Sequence, residues 1–230
     1  MKNKFKKILR ILWYLNFKTI LFNFKYFKIN EAIGFPVFVS SNTYLRRMKG
    51  DIHIQKNILE PGMIRIGYGD VGIFDKKRSR SIWEVSGNVI FNGEANIGHG
   101  SKIIVGKLGN LNFGERFTIS AESSIICFCG VEFGNDCLLS WEVLVMDTDF
   151  HKIHSVETAN QINIDKKIAI GDNCWIGCRS LILKGAILPN NTIVAANSLI
   201  GNSEIPQISM NSIVGGIPAK VLKENVFWKK

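Results

Sequence analysis

The side chains best suited to chemistry fall in one short run, Asp147-Thr148-Asp149-Phe150-His151, with His154 three residues further on. An imidazole titrates near neutrality, so it can take a proton from a hydroxyl nucleophile and hand it on. A neighbouring carboxylate can hold its tautomer and stabilise the imidazolium that forms. His151 is therefore the candidate general base, His154 the alternative, and Asp147 and Asp149 the candidate orienting carboxylates. The other histidines carry less. His99, between Gly98 and Gly100, reads as an outward surface side chain, and His53 has no chemical neighbours. The five cysteines (Cys127, Cys129, Cys137, Cys174, Cys178) form no C-x-x-C pair and have no His at ligand spacing. That pattern favours buried structural thiols in a reducing, cytosolic compartment over a metal site or a disulfide framework.

The elements that must position these groups are set by a repeat. From Ile170 an apolar residue recurs every six places: Ile176, Ile182, Leu188, Val194, Ile200. Four places after each of the first five stands a small residue: Cys174, Ser180, Ala186, Thr192, Ser198. The apolar beat also runs through three earlier blocks, Phe91-Ile97-Ile103, Phe113-Ile119-Ile125 and Phe133-Leu139-Val145, where the corner position is less regular and holds Lys107, Phe117, Cys129, Val143 and Asp149 among others. A six-residue period fits one short strand and a turn, and three such sides close a triangular coil of about eighteen residues. One aliphatic per side points inward, a small residue fits each corner, and Gly171-Asp172-Asn173 and Asn190-Asn191 supply tight turns. The repeat breaks once at length, over residues 146–167. A regular solenoid offers no cleft of its own, so the break, which holds His151, is where chemistry is expected.

The remaining segments read less sharply. Within residues 31–88, Pro36–Val39, Ile52–Ile54, Met63–Ile66 and Ser81–Val85 suggest short strands of irregular first coils that cap the prism. Asp75–Arg80 reads as a solvated loop. Residues 89–215 form the repeat domain, and residues 216–230, beginning Pro218-Ala219-Lys220-Val221, suggest a short helix closing the last coil.

With these motifs in hand, the sequence resembles the hexapeptide-repeat acyltransferases, in particular the galactoside, maltose and xenobiotic acetyltransferases and the polysaccharide O-acetyltransferases. The resemblance is strongest from Ile168-Ala169-Ile170-Gly171-Asp172-Asn173-Cys174-Trp175-Ile176-Gly177 to Ser212-Ile213-Val214-Gly215-Gly216-Ile217-Pro218-Ala219-Lys220-Val221 and does not cover the N-terminal third. It implies an all-β, left-handed parallel β-helix, a homotrimer with active sites between subunits, and acetyl-CoA as donor. It also implies His151 as the base that activates a sugar hydroxyl, without a metal. The pantetheine arm would run along Gly177, Ala195 and Ala196, with Trp175 lining its groove. Lys220 would meet a phosphate, with Arg179, Lys184 and Lys223 as further cations. N-acetylation of an amino sugar is the nearest alternative activity. A non-catalytic glycan-binding solenoid is a second, and a hexapeptide-repeat carbonic anhydrase would need three convergent histidines from only four.

Composition bounds the partners. The chain has 230 residues, 46% hydrophobic and 21% charged, enough for a sizeable core, and a net charge of +10. Eight basic residues and no acidic one lie in residues 1–30, leaving 21 basic and 19 acidic in the rest, a net of +2. Nucleic acid is not the expected partner, because the folded domain lacks a basic excess. In the basic segment Phe5, Ile8, Leu9, Leu12, Leu15 and Phe22 fall near helical spacing. It suits either an anionic membrane surface at the inner face of the cytoplasmic membrane or a helix docked on its own domain. Its charges interrupt the apolar stretch too often for a spanning helix or a signal peptide.

Overall fold

The structure, a computed structural model, describes residues 2–201 and 208–229; the side chains of residues 2–6, Phe5 among them, lie outside the described part. The chain winds as a three-sided parallel β-helix. The first face stacks strands Val37–Val39, Ile64–Tyr68, Ala95–Gly98, Phe117–Ile119, Leu138–Leu139, Trp175–Ile176, Ile193–Val194 and Ser212–Gly216. The second stacks Tyr44–Met48, Ile82–Val85, Lys102–Val105, Ser124–Cys127, Leu144–Met146, Leu181–Leu183 and Leu199–Ile200. The third stacks Asp51–Ile54, Asn88–Phe91, Asn110–Phe113, Gly130–Phe133, Ile168–Ile170 and Ile187–Leu188.

The six-residue beat becomes three in-register columns. Phe91, Phe113, Phe133, Ile170 and Leu188 pair successively on the third face. Ile97, Ile119, Leu139, Ile176 and Val194 do so on the first, and Ile103, Ile125, Val145, Ile182 and Ile200 on the second. Every one of these side chains is buried, as are the five small corner residues from Cys174 to Ser198. Phe91 and Phe133 stack on Phe113 from either side at 5.0 and 5.8 Å, close to the separation of neighbouring strands. Asn173 and Asn191 sit at corners with φ of 52° and 60°, the left-handed conformation that asparagine tolerates, and they hydrogen-bond to each other.

Residues 37–85 join the same three faces, with register shifts beside Leu45 and Ile66. The end of the prism is closed by helix instead. Helix α1 covers Lys2–Tyr14, α2 Phe17–Tyr26 and α3 Ile29–Ala32. The first strand leaves one backbone edge without a strand neighbour, and α2 satisfies it with side chains. Asn23 accepts from Val37 N–H and donates to Val37 C=O; Thr19 does the same for Val39. Phe22 drops into the core edge-on to Trp83. An open edge invites unwanted pairing, and a polar helix face removes it.

At the far end the expected C-terminal helix is not formed. Ala219–Glu224 is a strand antiparallel to Ser212–Gly216. The reason is the same: the last coil also presents an unpaired edge, and a returning strand satisfies its backbone where a helix lying on it cannot.

Candidate active site

The inserted loop leaves after Leu144–Met146 and returns at Ile168–Ile170. It folds as an irregular hairpin in which His154 bridges Gln161 and Ile162 N–H donates to Ile153 C=O. His151 stands exposed near its base, and its ring makes no hydrogen bond among the described residues. Its backbone is held at both ends: its N–H donates to Asp149 C=O at 2.7 Å, and its C=O accepts from Asn163 Nδ2 at 2.8 Å. Asn163 is a hub that no motif or spacing singles out. Its amide also donates to Asp149 Oδ2, and its Oδ1 accepts from Ile153 N–H. Lys184, from the coil below, donates to Asp149 Oδ2 and to Asn163 C=O. The hydrogen bonds from Lys184 and then Asn163 hold the Asp149 carboxyl below its ordinary range. Asp149 thus clamps the loop to the prism.

Asp147 does something else, and its assignment as an orienting carboxylate is corrected. It is fully buried, and its two oxygens accept from Phe128, Cys129 and Gly130 N–H at 2.7, 2.8 and 2.6 Å. Those amides belong to the corner between the second and third faces, so Asp147 closes that corner and its oxygens are taken up by the backbone. His154 Nδ1 is engaged with Ala159 C=O at 2.9 Å inside the hairpin.

The cofactor candidates are also sorted by geometry. Trp175 lies on the outer surface of the first face, its Nε1 donating to Ser140 Oγ at 3.0 Å and its ring beside Trp228. Gly177 is required by close approach: a Cβ there would lie 2.6 Å from Ala196 N and 2.7 Å from Val194 O. The N–H groups of Gly177 and Ala195 are spent on the next coil, donating to Val194 and Val214 C=O, so they cannot serve a pantetheine arm. Ala196 is exposed at the corner. Arg179 pairs with Glu142 at 2.7 Å, which raises its pKa. Lys220 is exposed on the antiparallel C-terminal strand.

His99 is not on the surface. It is 1% exposed, with Nδ1 2.7 Å from Ser79 Oγ. Ser79 in turn donates to Glu122, whose other oxygen accepts from Lys102 at 2.7 Å. This network pins the otherwise solvated segment 70–80 to the prism. The cysteines are free thiols, and Cys127, Cys137 and Cys174 are buried; burial, then the charge of Asp147, pushes the Cys127 thiol up. Among the described residues no group of three or more His, Cys, Asp or Glu is arranged to hold a metal ion.

No protein-family model matches the chain. It is 29% identical over 132 residues to the polysialic acid O-acetyltransferase of Escherichia coli O1:K1, covering 57% of this chain and 39% of that protein. It is 36% identical over 98 residues to the polysialic acid O-acetyltransferase of Neisseria meningitidis, covering 43% and 44%. The sequence matches therefore span less than half the length of either relative. Among solved structures, the polysialic-acid-specific acetyltransferase NeuO superposes with a TM-score of 0.50 at 20% identity, over 84% of this chain and 86% of that one. The chain resembles the hexapeptide-repeat acetyltransferases in sequence, and its coils are the left-handed parallel β-helix of that group.

Proposed function

We propose that the protein transfers an acetyl group from acetyl-CoA to a hydroxyl of a sugar or glycan precursor, with His151 as general base. The observation that carries this reading is the loop itself. The longest break between successive strands, from Met146 to Ile168, holds an exposed imidazole on a backbone clamped by Asp149, Asn163 and Lys184. In the reaction, His151 Nε2 or Nδ1 takes the acceptor hydroxyl proton as the oxygen attacks the thioester carbonyl. The C–S bond then breaks, and the imidazolium returns the proton to the departing thiolate, giving an acetyl ester and coenzyme A. Trp175, Ala196, Arg179 and Lys220 are the surface groups available to the donor, and the cations suit its phosphates.

The active unit in this reading is a homotrimer with sites between subunits. Phe150, Ile153, Val156, Ile162 and Ile164 are exposed on the loop, an apolar edge suited to a neighbouring copy. A site that closes only on assembly agrees with that edge. The reaction belongs in the cytoplasm, where acetyl-CoA is made.

The relatives make polysialic acid and other sugar polymers the first acceptors to try. Coenzyme A release should be seen with a hydroxyl acceptor, and His151→Ala should lower it by roughly 100-fold or more. Turnover near that of the parent chain would reject His151 as base. Turnover confined to amino sugars would move the assignment to N-acetylation.

A further inference from the structure

The N-terminal helices are mounted with their polar side inward. On α1, Lys7 pairs with Glu60 at 2.7 Å, Arg10 donates to Gly62 C=O at 3.1 Å, and Tyr14 stacks on Phe38 at 5.0 Å. On α2, Asn16, Thr19 and Asn23 serve the edge of the first strand. Lys18 donates to Ser41 and Thr43 C=O at 2.7 and 2.6 Å. Tyr14, Phe22, Tyr26 and Phe27 add ring contacts, and the other groups that tether these helices are hydrogen-bonding ones. The opposite face carries Leu9, Leu12, Trp13, Phe17, Leu21 and Phe24, all exposed, with Trp13 84% and Phe17 76% exposed. An amphipathic helix that only served its own domain would turn that face to the core.

We infer that this face docks on an anionic lipid surface. Charge selects the occupant: residues 1–30 hold eight basic residues and no acidic one, and while Lys7, Arg10 and Lys18 contact the domain, Lys25 and Lys28 are exposed beside the apolar stripe. Pairing the same face between two copies would bring two such cationic segments together, whereas an anionic bilayer neutralises them. Large aromatic rings suit the depth of the headgroups. No helix among the described residues is long and apolar enough to cross a membrane, so the helices lie on the surface and do not span it. This inference stands independently of the acetyltransferase reading, because its measurement is binding.

The test is sedimentation of the full chain with vesicles of phosphatidylcholine alone and with about a third phosphatidylglycerol. Binding is expected to the anionic vesicles, at least tenfold weaker to the neutral ones, and reduced by raising salt to about 0.5 M. A variant carrying Leu12→Gln, Trp13→Gln and Phe17→Gln changes only exposed side chains. It should melt at the parent's temperature and lose anionic binding by tenfold or more. Equal binding by this variant, or no binding of the parent to anionic vesicles, overturns the inference. So does a fall in oligomer size in the variant without any vesicle binding by the parent, which would assign the face to a second copy.

Discussion

Replacing Asp147 by alanine distinguishes a structural carboxylate from a catalytic one. The parent side chain accepts three backbone N–H bonds, with Gly130 N–H buried and those of Phe128 and Cys129 half-buried. Hydrogen bonds to a charged acceptor contribute about 1.5–3 kcal/mol each, and an orphaned buried donor costs about 1–3 kcal/mol. Water can reach the two half-buried amides in the variant, which offsets part of their loss. The net expectation is roughly 4 kcal/mol, or a fall in melting temperature on the order of 10 °C for a chain of this size. Asp147→Asn should move the same way but less, because its NH2 group would face at least one of the donors whichever way the amide is turned. Thermal unfolding followed by circular dichroism at fixed protein concentration measures the shift. Coenzyme A release at a temperature well below both midpoints should stay within about tenfold of the parent. Were Asp147 instead the partner of His151, the melting temperature would hold while turnover fell by two or more orders of magnitude. That outcome would refute the corner-closing role.

Further tests address the loop and the buried histidine. Lys184→Met removes the tie between the prism and Asp149. The pair is partly solvent-exposed, so stability should change by less than about 1 kcal/mol, while turnover falls several-fold because His151 is held less firmly. Unchanged turnover would separate the clamp from catalysis. Burial lowers the pKa of His99, opposed by the charges of Glu122 and Asp70 and aided by Lys76. The unfolded chain therefore binds more protons at this position than the folded one below the ordinary histidine value of 6.5. This contribution is intact above that value and is lost as pH falls through the window beneath it. The urea midpoint should drop between pH 7.5 and 5.5 in the parent and drop less in His99→Asn; parallel shifts in both chains would rule His99 out as the cause.

Much of the fold is legible in residue order because parallel stacking is nearly one-dimensional. Ile170, Ile176 and Ile182 each face inward for a local reason, the length of one side of the triangle, and the coils above and below repeat it. The loop containing His151 is legible for the same reason, as the place where that local rule stops. The roles of Asp147 and Asp149 are not legible in this way. They lie two residues apart in one run, yet one closes a corner formed by Phe128–Gly130 and the other reaches Lys184. Which amides and cations are within reach depends on how coils stack, and sequence proximity to a histidine says nothing about it. His99 shows the same limit, since its burial depends on the segment carrying Ser79 folding back over it.

The ends of the prism show where the division falls. The sequence by itself determines that residues 1–30 are basic and amphipathic, and that the six-residue beat ends near Ile200. Only the tertiary structure decides that Asn16, Thr19 and Asn23 turn inward, that Trp13 and Phe17 turn outward, and that Ala219–Glu224 returns as a strand. A terminal coil leaves unpaired backbone donors and acceptors, and satisfying them costs less than burying them bare. That demand exists only once the coils are stacked, so it overrides the local preference of the segments that meet it.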